Sequence, residues 1–129
     1  MRSQFAAHWM LAGAFLMLAG TAMAHHGLAA FDIKSTITLK GTVTDFHFVN
    51  PHCVIEFDVK DDKGQVRSWQ AELTSPLHLA PKGWTASSLE AGDQVTVSGH
   101  PAKNGAPSLW ATRVIAGDGK ELKIDSRPD

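Results

Sequence analysis

The chain has 129 residues, and its 12 Lys and Arg side chains nearly balance 13 Asp and Glu, for a formal net charge of -1 at pH 7. Because no block of basic residues stands out, we expect no nucleic acid among its partners. Its single cysteine, Cys53, excludes an internal disulfide.

The start of the chain has the three parts of a secretory signal. Arg2 supplies a positive charge, residues 9–20 form an apolar stretch, and the small residues Ala22 and Ala24 suit a signal peptidase. The apolar stretch is shorter than the roughly 20 residues that a membrane-spanning helix needs. We therefore expect residues 1–24 to be a signal peptide, cleaved after Ala24 or after Ala22. The product would be periplasmic or secreted, with no stable membrane insertion.

Three strands are predicted in the first half of the remaining chain. Residues 37–50 are rich in β-branched and aromatic side chains, with Gly41 at a bulge or bend. Residues 53–59 alternate between apolar and polar side chains, as a half-buried strand does. The Asp-Asp-Lys-Gly turn at 61–64 predicts a hairpin that leads into a third strand at 65–73.

A short helix and three more strands are predicted in the second half. Ser75 can cap the helix, Pro76 suits its first turn, and Pro81 and Gly83 end it. After a turn that closes at Gly92, apolar residues alternate again. The three further strands are residues 94–100, 109–115 and 120–124.

This order of elements is typical of a small closed barrel of the oligonucleotide/oligosaccharide-binding (OB) type. The predicted fold class is all-β: an OB-like antiparallel β-barrel of five or six strands with a short helical connection. We expect it to form a single domain over residues 25–125, followed by a frayed tail at 126–129. An antiparallel sandwich is the alternative, because the strand count alone does not separate the two folds.

Three sequence motifs indicate a family. They are Ala-His-His-Gly at 24–27, the run LKGTVTDFHFVNPH at 39–52, and the run GWTASSLEAGDQVTVSGHPAKNG at 83–105. In these motifs the chain resembles the small secreted bacterial proteins grouped as domain of unknown function 6152. The resemblance implies a secreted all-β domain and names no reaction.

Two adjacent histidines, His25 and His26, stand at the expected cleavage site. Cleavage after Ala24 makes His25 the first residue, so that its α-amino group and ring Nδ1 form a chelate. Cleavage after Ala22 makes His25 the third residue, so that the amine, two backbone nitrogens and one imidazole form a square-planar site. Both sets of nitrogen donors suit Cu(II).

Further copper donors are expected on the barrel. His52 lies at the start of the second strand, and His47 lies on the first strand near the same turn. We expect copper to be held by His25 or His26 together with His52 or His47, with Glu56 as an additional oxygen ligand. The simpler interpretations are a flexible polar terminus, a turn residue at His52 and a surface strand residue at His47.

The sequence contains no recognised catalytic motif, so we expect a binding protein and not an enzyme. The first hypothesis is a carrier or buffer whose partner is the Cu(II) ion. The alternative is a non-enzymatic OB-like module that binds a peptide, a glycan or an envelope protein. In that case the histidines are incidental, and the ligand groove lies near Trp84, Asn50 and Glu56.

Overall fold

The computed structural model describes residues 27–124. The predicted signal peptide, the His25–His26 pair and the predicted tail at 126–129 lie outside the described residues. No helix between residues 27 and 124 is long and apolar enough to cross a membrane.

The described chain is mainly β-structure, with short helical turns at its start and in its middle. The strands are β1 (Ile37–His47), β2 (Val54–Lys60), β3 (Val66–Glu72), β4 (Gln94–Pro101), β5 (Ser108–Ala116) and β6 (Glu121–Leu122). The helical segments are a 3-10 turn (Gly27–Ala30), α1 (Pro76–Leu79) and a second 3-10 turn (Ala80–Lys82).

The strands form one sheet that closes into a barrel. Neighbouring strands follow the order β3-β2-β1-β4-β5-β6, and an additional parallel pairing joins β3 to β5. That pairing, from Gln70 opposite Ser108 to Glu72 opposite Trp110, closes a ring of five strands and leaves β6 outside it. A sandwich would require two separate sheets, so the OB-like prediction is confirmed.

The core follows from the alternation in the sequence. Cys53, Ile55 and Phe57 are each 0% exposed, and they share one face of the chain at the start of β2. Burial of a small thiol among apolar side chains is the environment expected for an inert cysteine. Strands β1, β3, β4 and β5 contribute the same kind of apolar residue to the core: Val43, Ala71, Val95, Val97, Leu109, Ala111 and Val114.

The helical connection between β3 and β4 is as short as predicted. Pro76 lies in the first turn of α1, where the absence of an N–H group costs nothing. Gly83 has φ 94°, a left-handed conformation that disfavours side chains with a Cβ, and it ends the second 3-10 turn. This connection buries Leu79 in the core.

A β-bulge in β1 decides which side chains face outward. Val43 pairs with Phe57, but Asp45 pairs with Glu56, so Thr44 is an extra residue in the strand. Without the bulge, alternation would place Asp45 on the same face as the buried Val43. With it, Asp45 turns outward. The bulge therefore lies at residues 43–45, and not at Gly41 as the sequence suggested.

The start of the described chain covers the outer face of β5. Leu109 and Ala111 belong to the core, so Trp110 between them points away from it, yet Trp110 is 0% exposed. The ring of Phe31 packs on it with centroids 6.1 Å apart. The Asp32 amide donates to the carbonyl of Pro101 at 2.8 Å, which fixes this segment to β4. Residues 27–32 thus form a small second layer outside the barrel.

Asp32 provides a pH-dependent contact in this layer. Its Oδ2 accepts a hydrogen bond from Ser35 Oγ at 2.6 Å and its Oδ1 accepts one from the Lys34 amide at 3.1 Å. These bonds, the Ser35 bond first, favour the carboxylate and lower the pKa of Asp32 below its ordinary value. A lowered folded-state pKa stabilises the fold at pH values above the unfolded-state pKa. The contribution is lost as pH falls through the folded-state pKa.

We expect Ser35→Ala to raise the pKa of Asp32 towards its ordinary value, because the largest cause of the shift is removed. The measurement is an NMR titration of the Asp32 carboxyl carbon in both proteins. The exposed neighbour Thr36 provides the control, since Thr36→Ala removes a hydroxyl without touching the carboxylate. An Asp32 titration curve unchanged in Ser35→Ala would contradict this account.

Candidate metal centre

Three potential metal ligands meet on the outer face of β1 and β2. Ligand atoms of Asp45, His47 and Glu56 all lie within 4.8 Å of one another. His47 Nε2 is 3.2 Å from Glu56 Oε1 and 3.5 Å from Asp45 Oδ2. An ion bound at Nε2 would have two carboxylate oxygens beside it.

The bulge in β1 and the antiparallel register bring these residues together. Asp45 and His47 are two positions apart on one strand, so their side chains share a face. Asp45 lies directly opposite Glu56, and His47 lies opposite Val54, one step along the same face. Direct and diagonal cross-strand neighbours of this kind are within reach of one another.

The cluster is open to solvent. The side chains of His47, Glu56 and Asp45 are 41%, 39% and 61% exposed, so an ion can approach without any movement of the barrel. One imidazole nitrogen and two carboxylate oxygens form a mixed donor set that suits divalent transition metals, with coordination positions left for other donors.

Sequence reasoning identified two of the three residues and missed Asp45. His47 and Glu56 were predicted as ligands, and the structure brings them together. Asp45 was missed because ligands were sought among the histidines and the outward side chains of the second strand. The available signal was the spacing of Val43 and Phe46, two apolar residues three positions apart, which period-two alternation does not allow on one face.

His52, the other predicted barrel ligand, lies apart from the cluster. Its Nδ1 forms a hydrogen bond with Glu72 Oε1, a partner that sequence reasoning did not identify. Its ring meets the ring of Trp110 edge-on, with centroids 5.3 Å apart and an interplanar angle of 86°. The structure therefore pairs His52 with a carboxylate on β3, and does not bring it to His47.

The residues of the predicted ligand groove lie in different surroundings. Trp84 is only 3% exposed: its ring packs on Phe46 at 5.5 Å, and its Nε1 donates to the carbonyl of Lys123 at 2.7 Å. The ring belongs to the core cluster, so the assignment of Trp84 to a groove with Asn50 and Glu56 is corrected to a core position. Asn50 is exposed in the loop between β1 and β2.

A groove does exist beside Glu56, away from Trp84 and Asn50. Its volume is about 300 Å³, and it lies between the outer face of β2 and β3 and the loop that precedes β5. Gln70 and Pro107 are among the residues that line it. Gln70 Nε2 also donates to Glu56 Oε1 at 3.4 Å, so the groove borders the carboxylate of the cluster.

Comparison with known proteins gives a family and a fold. The model of a family of unknown function, DUF6152, matches residues 14–109. No curated protein matches the chain.

Solved structures similar to the barrel include two that share 17% identity with this chain. One is the crystal structure of a small single-stranded DNA-binding protein from Streptomyces coelicolor, with 17% identity and a TM-score of 0.49 over 67% of this chain and 94% of that one. The other is the dimeric N-terminal domain of PriB protein from Thermoanaerobacter tencongensis, with 17% identity and a TM-score of 0.45 over 64% of this chain and 96% of that one. At such low identity the likeness concerns the fold alone.

The prediction that nucleic acid is no partner is wrong as it stands. A protein described as single-stranded DNA-binding has a similar barrel, which conflicts with an exclusion of nucleic acid. The physical reason is that the exclusion used the charge balance of the whole chain, which says nothing about the charge of any single face. The exclusion is therefore withdrawn.

Proposed function

We propose that this chain, which belongs to the family of unknown function DUF6152, is a metal-binding module that captures Cu(II) as a carrier or buffer without turnover. The observation that carries the proposal is the convergence of Asp45, His47 and Glu56 within 4.8 Å. Membership of the family confirms the resemblance drawn from the sequence motifs. It supplies no activity, so the proposal depends on the site.

Copper is proposed on the basis of ligand chemistry. Among divalent first-row metals, a site of given nitrogen and oxygen donors binds Cu(II) most strongly, and imidazole is a ligand that copper favours. The cluster supplies one imidazole and two carboxylates, and its exposure leaves room for a donor from elsewhere. His25 and His26, at the predicted processed end of a periplasmic or secreted protein, remain proposed donors of nitrogen.

We expect His47→Ala to weaken Cu(II) binding at this cluster by at least about 100-fold. The imidazole is the only nitrogen donor among the three residues. Loss of a residue that only hydrogen-bonds to a ligand already lowers metal affinity about 10- to 100-fold, so loss of the ligand itself should lower it further. The measurement is a Cu(II) titration of the mature protein in competition with a chelating indicator.

His78→Ala is the matched control. It removes an imidazole from an exposed position on α1, distant in sequence from the cluster. Equal affinities in His47→Ala, His78→Ala and the wild type would refute the proposed site. If the wild type bound Zn(II) more tightly than Cu(II), the assignment of the metal would be refuted.

The groove beside Glu56 favours a second candidate function, an OB-like module for a peptide or a glycan. Its volume of about 300 Å³ is at the lower end of the range for small-ligand sites. Gln70→Ala changes the groove and retains all three residues of the cluster, with loss of the 3.4 Å hydrogen bond to Glu56 Oε1. This second function would be favoured over metal capture if the wild type bound a peptide or glycan and Gln70→Ala did not. Added copper should then leave the binding of that ligand unchanged.

A further inference from the structure

A second groove opens where β1 and β2 part. β1 pairs with β4 from Ile37 to Thr42, and it pairs with β2 only from Thr42 onward. The hairpin of β2 and β3 stays paired past this point, as far as Lys60 opposite Val66. The space between the start of β1 and the end of this hairpin, here called the hairpin groove, has a volume of about 780 Å³. This volume lies within the range of roughly 300–1,000 Å³ that is usual for small-ligand sites.

The floor of the hairpin groove is apolar. Three of the side chains that line it are half-buried against the core: Leu39, Val59 and Trp69. Val66 also lines it and is 59% exposed. A ligand that covered these side chains would remove apolar surface from water, which is favourable. The floor therefore suits a ligand with an apolar or aromatic body.

Cationic side chains surround this floor: Lys40, Lys60 and Arg67. None of them forms an ion pair with another residue of the described range 27–124. Asp61 and Asp62 line the groove as well, but Asp61 Oδ1 accepts two backbone amides of the hairpin turn, at 2.8 and 2.9 Å. Three cations against two carboxylates leave an excess of positive charge, which an anionic ligand would balance.

Arg67 is held over the ring of Trp69. Its guanidinium carbon lies 5.6 Å from the centroid of that ring, within the distance of a cation–π contact. The two residues are two positions apart on β3, so their side chains share a face. The planar fork of a guanidinium matches a carboxylate through two parallel hydrogen bonds, and support by the ring limits the orientations that the fork must give up on binding.

We propose that the hairpin groove binds a small aromatic carboxylate. The ring of the ligand packs on Leu39, Val59 and Trp69, and its carboxylate accepts hydrogen bonds from Arg67, with Lys60 nearby. An aromatic body is preferred to an alkyl chain because paired rings gain energy beyond the burial of area. This activity goes beyond metal capture and does not depend on it, since none of the three residues of the metal cluster lines this groove.

The test is a calorimetric titration of the mature protein with 2-naphthoate in metal-free buffer at neutral pH. We expect the wild type to bind it, and Arg67→Gln to bind it at least about 10-fold more weakly, because a hydrogen bond between charged groups is lost. The neutral analogue 2-naphthylmethanol should also bind the wild type at least about 10-fold more weakly than 2-naphthoate does, for the same reason.

Arg113→Gln is the matched control for Arg67→Gln. Arg113 lies on β5, pairs with Glu121 at 3.4 Å and does not line the hairpin groove. Both arginines are exposed, so neither substitution removes a core side chain. We expect Arg113→Gln to bind 2-naphthoate as tightly as the wild type.

Trp69→Leu tests the aromatic part of the proposal separately from the charge. The wild type should bind 2-naphthoate more tightly than octanoate. This preference should fall about 2- to 10-fold in Trp69→Leu, because the contact between rings is lost while the floor stays apolar. The ratio of two affinities in one variant compares ligands on the same folded protein, so a general loss of stability does not change it.

Several outcomes would overturn the proposal. One is equal affinity for 2-naphthoate in Arg67→Gln, Arg113→Gln and the wild type, and another is a wild type that binds no 2-naphthoate. Trp69 also lines the groove beside Glu56. Loss of binding in Gln70→Ala but not in Arg67→Gln would therefore assign the ligand to that other groove.

A macromolecular ligand is tested by competition. We expect neither a single-stranded oligonucleotide nor an acidic peptide to displace 2-naphthoate at concentrations below that of 2-naphthoate itself. Displacement by either of them at such concentrations would overturn the assignment to a small ligand in favour of a macromolecule.

Discussion

Trp110→Ala is expected to lower the free energy of unfolding by about 3–5 kcal/mol, the usual cost of removing a buried tryptophan. The ring is 0% exposed although it lies outside the barrel core. A tryptophan buries roughly 150–250 Å², which at about 25 cal/mol per Å² corresponds to a similar energy. Phe31 and His52 would lose the ring against which both pack. Chemical denaturation followed by circular dichroism measures the change.

Trp110→Phe is the matched control for this effect. It keeps an aromatic ring between Phe31 and His52, so we expect it to lose clearly less stability than the alanine variant. The copper titration adds a functional reading: the cluster around His47 should keep its ion in Trp110→Ala. A stability loss below about 1 kcal/mol in Trp110→Ala would contradict the described packing of the outer layer.

Gly99→Ala is the second substitution with a large expected effect, about 3 kcal/mol of lost stability. A Cβ at this position would lie 2.1 Å from the carbonyl oxygen of Trp110 and 2.8 Å from Leu109 Cδ1. The first of these atoms belongs to the backbone of the paired strand, so it cannot rotate away as a flexible side chain would. Relief requires β4 and β5 to separate, with loss of their hydrogen bonds. Urea denaturation of the variant gives the free-energy change directly.

Gly117→Ala provides the comparison for this steric argument. Its Cβ would meet Gln94 Cβ at 3.2 Å and the Gln94 carbonyl oxygen at 3.3 Å, both much longer than the 2.1 Å contact at position 99, and its backbone is not left-handed. We expect a change within about 0.5 kcal/mol, as for most surface substitutions. Equal effects of Gly99→Ala and Gly117→Ala would show that close approach of the two strands is not the reason for glycine at position 99.

Much of the barrel could be predicted because its strands obey simple alternation. In β2 the side chains that the sequence assigns to the inner face are the buried ones, and the predicted turn at 61–64 is present, with the Gly64 amide donating to the Asp61 carbonyl at 3.0 Å. Cys53 could be identified as a buried apolar residue for the same reason. Period-two patterns are local, so they can be read from a single sequence.

The site could be predicted only in part, because its assembly depends on contacts between distant residues. The sequence indicated His47, His52 and Glu56, but the pairing of His52 with Glu72 joins positions 20 residues apart and has no local signature. Trp84 follows a glycine in a loop-like segment, which suggested exposure. The side chain is buried because its ring packs on Phe46 and its Nε1 donates to the carbonyl of Lys123, 39 residues later in the chain.

The extra residue Thr44 in β1 has a consequence for anyone who compares this chain with its relatives. A relative with the same residues in a strand that paired regularly, without the bulge, would retain the aspartate, the histidine and the glutamate. It would nevertheless point the first two into its interior, because a shift by one residue moves every later side chain of the strand to the opposite face. A relative that lacked the equivalent of Thr44 would need no bulge and would still present both side chains outward. Whether a relative has this donor set therefore depends on how that strand pairs as well as on the identity of its residues.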